Sequence, residues 1–125
     1  MTTVGRLVLL VDDDAGIRAA LTDFLLDEGF VVHTAQNGRE ALEWLRGNGG
    51  RPTVVLLDLM MPVMDGQAFL EARACDPELS QIPVVVVSAD PRRAELASGH
   101  ERCVVIGKPV APEGLLQAID VVSVA

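Results

Sequence analysis

The stretch Leu7-Val8-Leu9-Leu10-Val11-Asp12-Asp13-Asp14 joins a run of five apolar residues directly to three acidic residues. Further strand-like runs occupy positions 53–57, 84–87 and 104–106, and a polar residue or a glycine follows each of them. Continuous runs of this length predict strands that are buried on both faces, as in a parallel sheet covered by helices. A weaker run at 30–35 contains two polar residues, and we expect it to lie at an edge.

The segments between these runs have the spacing of helices. Asp14 is a good N-cap residue for the first helix, and Gly29 is placed to end it. Four further helices are predicted to begin near positions 38, 66, 91 and 112; the fourth of the five, from Pro91 to Ala97, is short. Alternation of five strands with five helices predicts an α/β fold with right-handed crossovers and a parallel sheet.

Length and composition limit the classes of protein that this chain can represent. Its 125 residues predict one domain, 1–125, with no output domain, and a hydrophobic content of 50% excludes intrinsic disorder. Ten basic against 18 acidic residues give a net charge of −8, which argues against direct binding to nucleic acid or to anionic membranes. The two cysteines form neither a disulfide framework nor a zinc spacing, and only five apolar residues separate Arg6 from Asp12, so we expect no signal peptide. We therefore expect a cytoplasmic protein.

Polar side chains follow four of the predicted strands: Asp12 and its acidic neighbours, Asp58, Ser88 and Lys108. In an open parallel sheet, ligands bind beyond the carboxyl ends of the strands. Two carboxylates about 4 Å apart repel by roughly 4 kcal/mol at an effective dielectric of 20, so either one takes a proton or a metal ion neutralises them. Ligands that are all oxygen atoms select a hard cation. A site with few carboxylates, in which the ion keeps some of its water ligands, suits Mg²⁺. An adjacent lysine and hydroxyl then indicate a phosphoryl site.

Residues 58–66, Asp-Leu-Met-Met-Pro-Val-Met-Asp-Gly, resemble the D-x-x-M-P-x-M-D-G signature of response-regulator receiver domains in two-component signalling systems. Val11-Asp12-Asp13 matches the acidic pair of that family, Ser88 its Ser/Thr position, and Lys108-Pro109 its Lys-Pro pair. The matches occur in the right order over nearly the whole chain. The resemblance implies a flavodoxin-like, doubly wound sheet of five parallel strands in the order 2-1-3-4-5, with five helices.

The resemblance also implies a role for each acidic residue. Asp58 is expected to accept a phosphoryl group from a phosphohistidine on a sensor histidine kinase or a phosphotransfer protein. Asp13, Asp58 and the backbone carbonyl of Met60 are expected to bind Mg²⁺ directly, and Asp12 mostly through water. The chain would then act as a signalling switch and not as an enzyme, with at most slow self-dephosphorylation, because Met60 offers no polar group to orient water.

The remaining site residues are expected to recognise the phosphoryl group once it is attached. Lys108 would pair with one phosphoryl oxygen. The Ser88 hydroxyl would swing inward to bond another, helped by the amide of Ala89, and this movement would alter a surface that a downstream protein partner recognises. The Lys108–Pro109 bond is expected to be cis. Pro62 and Gly66 are expected to shape the loop over the site, with Gly66 free to take a positive φ.

Two positions depart from the family pattern. Val105 stands where an aromatic residue commonly lies three positions before the lysine, so we expect the usual coupling between hydroxyl and ring to be absent. Val110 stands where an aromatic residue often follows the Lys-Pro pair. The predicted fourth helix is also short, and in this family that helix frequently forms the dimer and output face.

Two alternatives remain open from the sequence. The chain can be a constitutive receiver-like scaffold that binds its partner without phosphorylation, which the absence of an aromatic residue at 105 permits. A haloacid-dehalogenase-type phosphatase also begins with an apolar strand followed by D-x-D, and there Asp12 would be the nucleophile. That motif, however, continues with Thr or Val where this chain has Gly16, and the phosphatase hypothesis leaves the signature around Asp58 unexplained.

Overall fold

The computed structural model describes residues 6–47, 51–59, 65–90, 92, 95 and 99–123. Five parallel strands form one sheet in the order β2-β1-β3-β4-β5. The strands are β1 (Leu7–Val11), β2 (Val31–Ala35), β3 (Val54–Asp58), β4 (Val84–Ser88) and β5 (Cys103–Gly107). Both the parallel sheet and its strand order confirm the prediction, and the weak second strand lies at an edge.

Four α-helices accompany the sheet within the described residues: α1 (Ala15–Asp27), α2 (Gly38–Gly47), α3 (Gly66–Ala74) and α4 (Pro112–Ser123). A short 3₁₀ helix spans Leu79–Gln81. The last of these helices, α4, is the predicted fifth. The predicted short fourth helix lies largely outside the described residues, where only Arg92 and Glu95 are described, both in helical conformation. No helix in the described part of the chain is long and apolar enough to cross a membrane.

Local sequence signals set the ends of α1. The Asp14 carboxylate accepts a hydrogen bond from the backbone N–H of Ile17 at 3.0 Å, which satisfies a donor that the first helical turn leaves unpaired. Gly29 follows the helix with a φ of 94°, a conformation that glycine adopts without a steric penalty. Both residues were predicted in these roles from the sequence.

Alternate residues of the strands pack into two apolar layers. Leu9, Val55 and Val86 face α2 and α3, whereas Val8, Leu10 and the other half of the strand residues face α1 and α4. The central strands β3 and β4 are buried along their whole length. Burial on both faces explains why these strands are continuous apolar runs and do not alternate with polar residues.

One arginine lies inside this core, and its burial was not predicted from the sequence. Arg73 of α3 is 2% exposed, and its guanidinium donates to the carbonyl oxygens of Ser80 at 3.1 Å, Ile82 at 2.9 and 3.0 Å, and Glu101 at 2.7 Å. Burial lowers the pKa of this arginine from its ordinary value. The side chain thus joins α3 to the segments that lead into β4 and β5.

Candidate functional site

The carboxyl ends of four strands bring the predicted site residues to one edge of the sheet. Asp58 and Ser88 are the last residues of β3 and β4, and Asp12 and Lys108 directly follow β1 and β5. The main chain continues the sheet pairing here: the N–H of Asp12 donates to Ala35 at 3.1 Å, and that of Lys108 donates to Ser88 at 3.1 Å. The fold therefore fixes the backbone beneath each side chain.

Three carboxylates meet at this edge. Asp12, Asp13 and Asp58 each offer one oxygen atom, and these atoms all lie within 4.8 Å of one another. Asp12 is 4% and Asp58 is 6% exposed, whereas Asp13 is exposed to solvent. Burial raises the pKa of Asp12, and the charges of Asp58 and Asp13 add to the rise, while the N–H of Asp14 and the ammonium of Lys108 oppose it. We name these three residues the acid cluster.

The ammonium group of Lys108 lies beside Asp58 of the acid cluster. Its Nζ is 3.3 Å from Oδ1 of Asp58, across a sequence separation of 50 residues. The Lys108–Pro109 peptide bond is cis, as predicted. A cation next to a buried carboxylate can also neutralise an anionic group that arrives there.

The hydroxyl of Ser88 is engaged locally. It accepts a hydrogen bond from the backbone N–H of Asp90 at 3.1 Å, and its oxygen lies 3.2 Å from the Asp90 carbonyl, to which it donates. Ser88 is buried at the end of β4, and Ala89, which follows it, is exposed. The structure therefore places both residues at the predicted edge, with the hydroxyl bonded within its own loop.

Arg18 is a residue near the site that the sequence interpretation missed. It lies one turn inside α1, and its Nη1 donates to the backbone carbonyl of Asp12 at 2.8 Å. This bond holds the main chain at the first residue of the acid cluster. The sequence signal was a basic residue one turn after the helix cap Asp14, on a helix that begins at the acids.

The loop after β3 is described only in part. Met60, whose carbonyl was predicted to bind Mg²⁺, lies outside the described residues. Gly66 does not use its freedom to take a positive φ; in the described part of the chain the glycine with positive φ is Gly29. Glycine is required at 66 for a different reason: a Cβ there would lie 2.6 Å from Cδ2 and 2.7 Å from Cα of Leu59.

The positions that depart from the family pattern lie on the two faces of the sheet. Val105 is half-buried in β5 and packs against the layer that faces α2 and α3. Val110 is half-buried beyond the cis bond and packs against the opposite layer, which faces α1 and α4. The consequence predicted for Val105, a signal that leaves by another route, stays a prediction.

Comparison with known proteins identifies the family. The family model of the response regulator receiver domain matches residues 8–120. Response regulator Rre1 of Synechocystis sp. is 35% identical over 111 residues, which cover 86% of this chain and 47% of that protein. The transcriptional regulatory protein PrrA of Mycobacterium tuberculosis is 42% identical over 99 residues, covering 75% of this chain and 40% of that protein.

The solved structures agree with this assignment. The chemotaxis response regulator CheY4 of Vibrio cholerae superposes with a TM-score of 0.83 at 30% identity, covering 95% of this chain and 99% of that one. A signal receiver domain of a histidine kinase from Syntrophus aciditrophicus gives a TM-score of 0.84 at 28% identity, covering 95% of this chain and 90% of that one. The chain belongs to the response-regulator receiver-domain family, which consists generally of signalling switches. It spans about half, or less, of the length of the first curated relatives that it matches.

Proposed function

We propose that this receiver domain is a phosphorylation switch and that Asp58 is its phosphoacceptor. The observation that supports this assignment most directly is the 3.3 Å contact between Lys108 Nζ and Asp58 Oδ1, inside a cluster of three carboxylates. Asp58 is buried at the end of the central strand β3, and the fold holds it in place. We further propose that residues 1–125 act as one receiver domain.

A divalent cation fits the donor set of the acid cluster. Three carboxylates within 4.8 Å repel one another, and one ammonium group does not balance three negative charges. Hard oxygen donors without histidine or cysteine suit Mg²⁺. We propose that Asp12, Asp13 and Asp58 hold the ion, together with the carbonyl of Met60. When bound, Mg²⁺ supplies charge neutralisation between the carboxylates and an incoming phosphoryl group.

The transfer step uses Asp58 as a nucleophile. One of its carboxylate oxygens forms a bond to phosphorus while the bond from phosphorus to the donor nitrogen breaks, and the electron pair leaves with the donor's imidazole. Lys108 is placed to offset the charge on the phosphoryl oxygens as the group arrives. We propose that the donor is a phosphohistidine of a sensor histidine kinase or a phosphotransfer protein.

The change in signal is proposed to begin at Ser88. Its hydroxyl gives up its hydrogen bonds to the backbone of Asp90 and donates to a phosphoryl oxygen instead. The backbone N–H of Ala89 donates to the same phosphoryl group. Since the hydroxyl now holds the loop after β4 through two hydrogen bonds, its release changes the restraint on that loop. We propose that a downstream protein recognises the altered loop surface, and that self-dephosphorylation is slow because Met60 has no group that orients water.

The alternatives differ in which carboxylate forms the covalent bond, if any does. In the phosphatase hypothesis the nucleophile is Asp12, whereas the salt bridge of Lys108 to Asp58 and the receiver family favour Asp58. In the scaffold hypothesis neither carboxylate is modified, and the partner binds regardless of phosphorylation.

Intact-protein mass spectrometry after incubation with acetyl phosphate and Mg²⁺ separates these hypotheses. We expect one labile phosphoryl adduct in the wild type, and none in Asp58→Asn or without Mg²⁺. Asp23→Asn removes an exposed carboxylate from α1 and should keep the adduct. An adduct that survives in Asp58→Asn but is lost in Asp12→Asn would favour the phosphatase, and no adduct in a folded, Mg²⁺-binding wild type would favour the scaffold.

A further inference from the structure

Arg18 ties the acid cluster to α1 through the main chain. Its Nη1 donates to the carbonyl oxygen of Asp12 at 2.8 Å, and its own backbone N–H donates to the carbonyl oxygen of Asp14 at 2.9 Å. These two bonds span residues 12–14, which we name the acid loop. The Asp12 carbonyl belongs to the planar peptide unit that leads to Asp13, so the bond from Arg18 restrains the backbone from which the Asp13 side chain projects.

The two neighbouring acids of this loop are restrained in different ways. Asp12 donates its N–H to Ala35 at 3.1 Å, and its carboxylate accepts the N–H of Asp14 at 2.9 Å. Asp13 is exposed to solvent, so no surrounding protein confines its side chain. The direction in which the Asp13 carboxylate enters the cluster therefore depends on the backbone that Arg18 holds.

Apolar packing at the beginning of α1 adds little to this restraint. Leu25, near the end of the helix, is its one buried residue, whereas Ile17 beside Arg18 is 39% exposed. Arg18 itself is half-buried. The first turns of α1 are therefore joined to the acid loop mainly by hydrogen bonds, of which the bond from Arg18 reaches furthest along the chain.

We propose that Arg18 is a positioning residue that determines the cation specificity of the acid cluster, biasing it toward Mg²⁺ and against Ca²⁺. This inference rests on the proposed cation site. Mg²⁺ demands nearly ideal octahedral geometry, whereas Ca²⁺ accepts a variable number of oxygen ligands in flexible arrangements. A restrained acid loop therefore favours Mg²⁺, and a loop released from Arg18 should lose more affinity for Mg²⁺ than for Ca²⁺.

The charge of Arg18 acts in the opposite direction to its hydrogen bond. A guanidinium group near the cluster repels a bound cation, so loss of the charge alone should tighten the binding of either ion. Mg²⁺ and Ca²⁺ carry the same charge, and this repulsion largely cancels in the ratio of their Kd values. A change in that ratio therefore reports the geometry of the acid loop.

Isothermal titration calorimetry with MgCl₂ and with CaCl₂ at neutral pH measures the two Kd values without phosphorylation. Arg18→Met should raise the Kd for Mg²⁺ about tenfold, as loss of a residue that orients metal ligands commonly does. The Kd for Ca²⁺ should rise by only about twofold, so the ratio of the Ca²⁺ Kd to the Mg²⁺ Kd should fall about fivefold. Arg46→Met removes the same charge from the last turn of α2, where Arg46 lies 3.9 Å from Asp76, and should leave the ratio unchanged.

Arg18→Gln is the second variant if circular dichroism shows that Arg18→Met fails to fold. Its amide nitrogen ends short of the position of Nη1, so the bond to the Asp12 carbonyl is lost while a polar group stays in place. An unchanged ratio in a folded variant, whether both Kd values stay, rise or fall together, would overturn the inference and leave the proposed function intact. An equal fall of the ratio in Arg46→Met would also overturn it. A folded wild type that binds neither cation would overturn the proposed cation site together with the inference.

Discussion

Replacing Asp12 with asparagine should stabilise the fold while weakening the site. Asp12 is buried and its pKa is raised, first by burial and then by the charges of Asp58 and Asp13. At 4.8 Å and an effective dielectric of 20, the repulsion between two of these carboxylates is about 3.5 kcal/mol. The asparagine carbonyl can still accept the hydrogen bond that Asp14 N–H donates at 2.9 Å.

The expected net gain is smaller than this repulsion, because Asp12→Asn also loses attraction to Lys108. We expect a gain of about 1 to 2 kcal/mol in the free energy of unfolding at neutral pH, or about 5 °C in Tm. The assay is urea and thermal unfolding followed by circular dichroism in buffer free of divalent cations. Asp23→Asn, an exposed change on α1, should stay within about 0.5 kcal/mol of the wild type.

The gain should depend on pH in a defined direction. Because the pKa of Asp12 is higher in the folded protein than in the unfolded chain, the folded state binds this proton more tightly. Asp12 therefore favours folding at low pH and loses that contribution as the pH rises through its folded pKa. The advantage of Asp12→Asn should be full above this range and should shrink as the pH falls through it.

Mg²⁺ should reverse the ranking if the acid cluster holds the ion. At a concentration 100 times its Kd, a ligand stabilises the folded state by about 2.7 kcal/mol, and the variant that lacks one carboxylate should gain less. The reasoning is refuted if Asp12→Asn is less stable than the wild type at neutral pH without divalent cations while Asp23→Asn is unchanged.

Three further predictions concern the core and the thiols. Arg73→Met removes every guanidinium bond to the three carbonyls and should lower the free energy of unfolding by about 2 kcal/mol in urea titrations; an unchanged value would mean that the bonds only offset the cost of burying the charge. Gly66→Ala places a methyl group against Leu59 and should cost about 2 kcal/mol in the same assay, whereas wild-type stability would show that the loop yields freely. Burial raises the pKa of the Cys103 thiol to about 11, whereas Cys75 is exposed. Iodoacetamide should therefore alkylate Cys75 first in the native protein at mildly alkaline pH, as measured by peptide mapping. Faster alkylation of Cys103 would contradict its burial.

Much of the architecture could be predicted because it depends on short stretches of sequence. A strand buried on both faces of a parallel sheet needs a continuous apolar run. The runs that contain Val8 and Val86 are of this kind, and both form strands. Helix ends depend on single residues such as Asp14 and Gly29, whose effect is confined to one turn. The approximate meeting of Asp12, Asp58 and Lys108 followed from the rule that parallel strands share one carboxyl edge.

Other features depend on residues that meet only after folding. Arginine on a short helix is ordinarily expected at the surface. Arg73 can be buried because three carbonyl oxygens from the segments before β4 and β5 accept hydrogen bonds from its guanidinium group. The sequence suggested backbone freedom as the reason for glycine at 66. The structure shows a different reason, because a Cβ at this position would clash with Leu59, and that contact exists only in the folded chain. Arg18 likewise bonds a carbonyl that lies six residues earlier, outside its own helix.

The sequence by itself therefore determined the order of the strands and helices and the edge at which the acids gather, because those follow from local periodicity and the handedness of the chain. Only the tertiary structure decided the distance of 3.3 Å between Lys108 and Asp58 and the bonding of Ser88 to its own loop. Such features are set by the packing of side chains that are distant in sequence, where a shift of one ångström changes which atoms touch.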